Sequence, residues 1–224
     1  MKVVCFDFDN VIADGNVLEK LSTGSRLRDA ELYLELILDS TEPKKFFRVV
    51  KKIVSLGKGI VFNDIERWFL RIKPMKGAKP ALKALRSSGK KTVIVSTNDE
   101  KLIRSFLRRH GIEKYIDHVY AARFGVSNDR LDGTIKGNVI KTEKVGVLGR
   151  IEKLYRTKRS DIVYIGDGLT DLPIIKKVGK GILFCPNAVT RAEVYNSKAL
   201  KAKEENGSLL LVEKKDLREV LRFI

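Results

Sequence analysis

Residues 2–11, KVVCFDFDNV, carry the reading that decides the fold. Val3, Val4, Cys5, Phe6 and Phe8 form an apolar run with almost no polar alternation, which predicts a strand covered on both faces, as in a parallel sheet flanked by helices. The run ends in acids, at Asp7 and Asp9, with Asn10 closing it. Two apart on extended chain, the two carboxylates face the same way, about 6 to 7 Å from each other. A pair of acids at a strand end is equally a turn signal or an edge-protecting charge pair, so the remaining strand ends have to decide.

Working outward, a regular alternation appears after Pro74. It predicts a helix over 79–87, a strand over 92–96, a helix over 100–109, a strand near 118–121, a hairpin over 128–139 turning at Asp132-Gly133, and a helix over 144–155. A strand over 161–165, a helix to about 178, strands over 181–184 and 209–212 and a helix over 216–223 complete the series, with 198–206 read as a charged connector. Such a series means an α/β fold with a parallel sheet. Residues 15–72 interrupt it with helical periodicity. One helix begins at Thr41 with Pro43 just inside, carries Phe46, Val49, Val50, Ile53 and Val54 on one face, and stops at Gly57. A second is capped by Asn63, with Ile65, Trp68, Phe69 and Ile72 as its inner stripe. The expected organisation is therefore a core of 1–14 and 73–224 with an inserted helical cap of 15–72.

Three further signals fall at strand ends, and ligands of open α/β sheets bind at that carboxyl edge. In 166–173, GDGLTDLP, Asp167 and Asp171 follow an apolar strand, and Gly166 and Gly168 permit close backbone approach. Acids at two strand ends suit a hard cation such as magnesium, which takes a few carboxylates and keeps water or phosphate oxygens as its other ligands. Ser96, Thr97 and Asn98 end the 92–96 strand just before a helix, an arrangement that serves as a phosphate cradle or as an ordinary cap. Lys144, with Lys141 as its near competitor, offers an ammonium that neutralises a phosphoryl group and the surrounding carboxylates. His110, before Gly111 at a helix end, and His118, in a strand, read as structural.

The net charge of +17 raises binding to a polyanion, but Lys and Arg are spread along nearly every predicted helix, including Arg104, Arg108 and Arg109 and Lys198, Lys201 and Lys203. That pattern is a solvated basic face, argues against a nucleic-acid partner, and favours a smaller anionic substrate. No apolar run approaches the roughly 18 to 20 residues of a membrane span, so a soluble, cytoplasmic protein is expected. Cys5 and Cys185 lie in apolar segments and read as buried, inert thiols. The two Met, the lack of Gln and the abundance of Lys, Arg and Glu match heat-adapted composition.

DFDNV at 7–11, the strand-terminal Ser96, the lysine and GDGLTD at 166–171 resemble the four ordered motifs of the haloacid dehalogenase superfamily. The helical insertion, the hairpin and the GDGxxDLP form resemble its phosphoserine-phosphatase-like branch. The resemblance implies a Rossmann-like core and a magnesium-dependent phosphatase acting on a small phosphorylated metabolite. In it, Asp7 would be the nucleophile and Asp9 the acid and base. Magnesium would be held by Asp7, by the Asp9 carbonyl and by Asp167, with Asp171 in the outer shell. Ser96, Thr97, Asn98 and Lys144 would hold the phosphate. An aspartate at position 9 favours phosphoryl transfer over dehalogenation. Lys144 is preferred to Lys141 for its distance to Asp167 and its place at a helix start. The pattern departs at the amino-acid head. The glutamate that phosphoserine-specific members use aligns near Asn16, with Glu19 a turn away, and Arg48, Lys51 and Lys52 are candidate replacements for the arginine. A phosphomutase of the same superfamily and a basic polyanion-binding protein on the same fold are the alternatives.

Overall fold

The computed structural model describes residues 2–15, 43–141 and 144–224, without the side chains of 43–47, 138 and 141. In chain order its elements are β1 (Val3–Phe6), α1 (Pro43–Leu56), α2 (Phe62–Phe69), α3 (Ala78–Ser87), β2 (Lys91–Asp99), α4 (Glu100–Arg109), β3 (His118–Ser127) and β4 (Arg130–Lys136). There follow α5 (Asn138–Lys141), α6 (Leu148–Tyr155), β5 (Ile162–Gly166), α7 (Leu172–Ile175), β6 (Lys180–Phe184), α8 (Ala188–Asn196), α9 (Lys198–Glu205) and β7 (Leu209–Val212). The seven strands form one sheet in the order β4-β3-β2-β1-β5-β6-β7, parallel throughout except for the β3–β4 hairpin. The α/β class read from the alternation is the one observed.

β1 stands at the centre of the sheet, and all four of its residues are buried. Its register sets Cys5 between Val93 of β2 and Tyr164 of β5, and Phe6 between Ile94 and Ile165. Side chains alternate across the sheet. Val4, Phe6, Ile94 and Ile165 therefore join one buried layer, and Val3, Cys5, Val93 and Tyr164 the other. The next residue, Asp7, donates its backbone N–H to Ile165 O at 2.8 Å and so emerges at the carboxyl edge beside the end of β5.

Above that edge, Phe8, Phe69 of α2 and Phe106 of α4 form a three-ring cluster with centroids 5.1 to 5.9 Å apart. It ties α2 directly to α4 and to the chain just after β1. Phe69 and Ile65 are buried as their periodicity predicts, but Trp68 is 36% exposed and does not belong to the inner stripe. Nor does Asn63 cap this helix, which begins one residue earlier, at Phe62, after Val61. The described inner face of α1 carries Val49, Val50, Ile53 and Val54, all buried. Thr41 lies outside the described residues, as does the side chain of Phe46.

Several other local expectations need correction. The hairpin turns at Asn128-Asp129, both at positive φ (49° and 59°), and not at Asp132-Gly133. Both pairs suit a type I′ turn, but Gly133 sits within β4, where a Cβ would lie 3.4 Å from the Cα of Ser55 in α1. Residues 198–205 are the helix α9, anchored by buried Leu200, where a connector is expected. The helix opened by GDGLTDLP is a 3-10 turn over Leu169–Asp171 followed by α7, ending at Ile175 and not near 178, and 217–223 is a 3-10 helix. Cys5 is buried, whereas Cys185 is only partly so, at a φ of 47°. No helix among the described residues is long and apolar enough to cross a membrane.

Candidate active site

Each of the strands β1, β2 and β5 delivers polar side chains to one edge. After β1 the chain turns sharply: the amides of Ile12 and Ala13 both donate to Phe8 O at 2.9 Å, and Asn10 adopts a φ of 57°. This turn carries Asp9 away from Asp7 and towards β2, where both carboxylate oxygens of Asp9 accept from Asn98 Nδ2 at 3.3 Å. Ser96 is fully buried, and its Oγ accepts from the Asn98 amide at 3.1 Å. Thr97 is half-buried between them. β2 extends three residues beyond the expected 96 because Asp99 anchors its end. One oxygen of Asp99 caps α4 through the Lys101 and Leu102 amides, and the other accepts from the Phe124 amide of β3 at 2.8 Å.

At the centre of the edge, Asp7, Asp167 and Asp171 each offer an oxygen within 4.8 Å of the others. The ammonium of Lys144 bridges two of them, 3.0 Å from Asp7 Oδ1 and 2.7 Å from Asp171 Oδ1. Lys144 is 1% exposed. It does not open a helix as expected. It sits at a φ of 60° ahead of a 3-10 turn over Val145–Val147, and α6 starts only at Leu148. A lysine in that strained region is held there by its surroundings. Its side-chain ion pairs and a hydrogen bond from its backbone N–H to Val139 O at 3.2 Å supply the restraint.

Asp171 has all of its acceptor positions filled. Oδ1 takes Lys144 Nζ and the Tyr164 hydroxyl, both at 2.7 Å, and Oδ2 takes the amides of Asp167 and Gly168 at 3.1 and 3.2 Å. The close approach depends on Gly166, where a Cβ would lie 2.3 Å from Asp171 Cγ. Asn10 Nδ2 donates to Asp167 Oδ2 at 3.1 Å. Asn10 and Tyr164 are the two contacts that sequence reasoning missed. Asn10 directly follows the paired acids, and Tyr164 is a phenol two residues before Gly166 in an otherwise apolar strand.

Burial pushes the Asp7 carboxyl up to about 6, with Lys144 opposing and Asp171 reinforcing the rise. Burial also holds Asp167 well above the carboxylate range, helped by Asp171 and Asp7. For Lys144, burial alone favours the neutral amine, but Asp171 and Asp7 outweigh it and raise its pKa, so it remains an ammonium. Three carboxylates against one ammonium leave two uncompensated negative charges once the acids ionise. Clustered hard oxygen ligands with that charge deficit fit a divalent cation. Because Asp171 is saturated, Asp7 and Asp167 have the oxygens to offer it.

The edge thus brings together Asp7, Asp9, Ser96, Asn98, Lys144, Asp167 and Asp171. Arg48, Lys51 and Lys52 are exposed on α1. Asn16 and Glu19 lie outside the described residues, as does the side chain of Lys141.

Residues 4–176 match the haloacid dehalogenase-like hydrolase family. The phosphoserine phosphatase of Methanocaldococcus jannaschii is 28% identical over 225 residues, covering 100% of this chain and 97% of that protein. The phosphoserine phosphatase of Streptococcus thermophilus is 31% identical over 149 residues, covering 66% of this chain and 67% of that protein. Among solved structures, a phospho-aspartyl intermediate analogue of phosphoserine phosphatase superposes with a TM-score of 0.79 at 27% identity, covering 100% of this chain and 98% of that one. A substrate-bound phosphoserine phosphatase complex gives 0.79 at 25% identity with the same coverage. By its matched residues and by the motifs converging on the sheet edge, the chain belongs to the haloacid dehalogenase-like hydrolases, on their phosphoserine-phosphatase-like branch.

Proposed function

We propose that this protein is a magnesium-dependent phosphatase that hydrolyses a small phosphate monoester through a phosphoryl group carried on Asp7. The observation that carries the reading is the buried cluster of Asp7, Asp167 and Asp171 around Lys144 at the carboxyl edge of the sheet. A carboxylate beside an ammonium, with an acid on the next turn, has the parts needed for covalent transfer in two steps. The phospho-aspartyl analogue of a similar enzyme supports the same chemistry.

In the first step an Asp7 oxygen attacks phosphorus and the bond to the ester oxygen breaks, while Asp9 gives its proton to the departing alkoxide. In the second, Asp9 takes a proton from water, whose oxygen attacks the same phosphorus. The bond to Asp7 breaks, and inorganic phosphate leaves. Asn98 orients Asp9 for both proton transfers, and the Ser96 hydroxyl and nearby amides receive phosphoryl oxygens. Lys144 stabilises the charge that builds on the transferring group. Asp171, with every acceptor occupied, fixes Lys144. Asp7, Asp167 and the Asp9 carbonyl would hold magnesium, which would supply further charge neutralisation for phosphoryl transfer.

This reading divides the chain into a core of 1–14 and 73–224 and a cap of 15–72 that restricts access to the edge. In support, Ala13 pairs with Pro74 and the Asp14 amide donates to Lys73 O at 2.8 Å, so the chain leaves the core and returns at one point. Phosphoserine is the first natural substrate to test, because the similar enzymes are named for it. The test is phosphate release from p-nitrophenyl phosphate and from a panel of phosphorylated metabolites, with and without magnesium. Magnesium-dependent release supports the reading, and silence across the panel overturns it.

A further inference from the structure

The phenol of Tyr164 is fully buried in the layer beneath the site, and its hydroxyl donates to Asp171 Oδ1 at 2.7 Å. That oxygen is also the nearer of the two anchors of Lys144, at 2.7 Å against 3.0 Å to Asp7. A carboxylate has about four acceptor positions. Two amides take those on Oδ2, so Tyr164 fills the last one on Oδ1. Without the phenol an acceptor position would open at a carboxylate that is 0% exposed, where the nearest donor is the same ammonium. Lys144 would satisfy it by turning further towards Asp171, at the expense of its contact with Asp7.

We propose that Tyr164 is a positioning residue for Lys144: by sharing Asp171 Oδ1 it weakens that carboxylate's hold and keeps the ammonium divided between Asp171 and the nucleophile Asp7. The proposal rests on the phosphatase reading for its catalytic consequence, although the division of the ammonium can be measured without it. Nothing in the apolar context of DIVYIGD marks the residue for this role. The hydroxyl reaches Asp171 because the register of β5 beside β1 turns position 164 into the layer that also holds Leu169 and Leu172, on either side of Asp171 in sequence.

Tyr164→Phe removes one oxygen and keeps the ring. Assayed with saturating magnesium and p-nitrophenyl phosphate, Y164F is expected to lose about tenfold or more in kcat while KM changes by less than about twofold, since the displaced charge matters most as the phosphoryl group transfers. In an Asp171→Asn background the same change should cost less than about twofold, because the two residues act as one unit. Full kcat in Y164F, or losses that simply multiply in the double variant, would overturn the proposal. A purely packing role lowers stability without producing this coupling. Incorporating 3-fluorotyrosine at 164 provides a variant that keeps both ring and donor and should alter kcat by changing the strength of that donor. Equal kcat in all three proteins also counts against the idea. Independently of turnover, the ¹⁵N resonance of the Lys144 ammonium is expected to shift in Y164F. An unshifted resonance refutes the positioning role even if the protein is a phosphatase, and a shifted resonance in a protein that releases no phosphate refutes the activity instead.

Discussion

Replacing Lys144 with Met removes the one ammonium that bridges the acidic cluster among the described residues, while nearly preserving side-chain volume. Lys144 lies 2.7 Å from Asp171 and 3.0 Å from Asp7 and is almost fully buried. At an effective dielectric of about 20, each contact corresponds to roughly 5 to 6 kcal/mol of Coulomb attraction. Much of that is offset by the desolvation the lysine no longer suffers, and removal of one partner from a buried pair typically costs about 3 to 5 kcal/mol. For a chain of this size, that range is a fall in Tm of roughly 6 to 20 °C.

The loss should depend on pH. Asp7 already has its carboxyl raised to about 6 in the native protein. A raised carboxyl means that the folded state binds more protons than the unfolded state, so this group lowers metal-free stability as pH rises from about 4 to about 6 and levels off above that. Without Lys144 the folded-state carboxyls rise further, the window extends upward from its fixed lower end near about 4, and protonation relieves the repulsion at low pH. Metal-free melting of the native protein and K144M from pH 5 to 8, followed by circular dichroism, should therefore give a large difference at pH 8 that shrinks towards pH 5. A difference that is small, or equal at all pH values, refutes the electrostatic account of the cluster.

Magnesium affinity, measured by calorimetry, should strengthen from pH 5 to 7 with proton release, since Asp7 must lose its proton to bind; affinity independent of pH would contradict this. Asn10→Ala removes the 3.1 Å bond that orients Asp167 and should weaken magnesium binding by about tenfold or more, with little change in metal-free Tm. Phe69→Ala breaks the three-ring cluster and should destabilise the fold by about 3 to 5 kcal/mol in denaturant titration.

The edge acids were legible in the sequence because fully covered strands are apolar throughout, so each abrupt change to Asp or Ser marks where a strand leaves the core. Asp7 and Asp167 stand out for that reason, whereas Ser96, singled out by the same change, lies within β2, which runs on to Asp99. Neighbour relations were not legible. The bond from Asn98 to Asp9 spans 89 residues and that from Asn10 to Asp167 spans 157, and both depend on β1 lying between β2 and β5. Turn chemistry misled at the hairpin because Asp132-Gly133 and Asn128-Asp129 both tolerate positive φ, and strand register decided between them. Residues 198–205 were obscured by their charge, since one buried Leu200 gives little periodic signal. The chemistry alone left Lys141 beside Lys144, and the family resemblance favoured Lys144, whose positive φ leaves no local mark in the sequence.

The central claim is that Asp7 carries the phosphoryl group, and trapping that group tests it most directly. Protein turning over a phosphate monoester in magnesium would be quenched in acid, reduced with borohydride and digested, so that an acyl phosphate is converted to homoserine at its point of attachment. The account predicts homoserine at position 7 alone, and neither homoserine nor turnover in Asp7→Asn. Homoserine at another acid, or undiminished turnover in D7N, would contradict it.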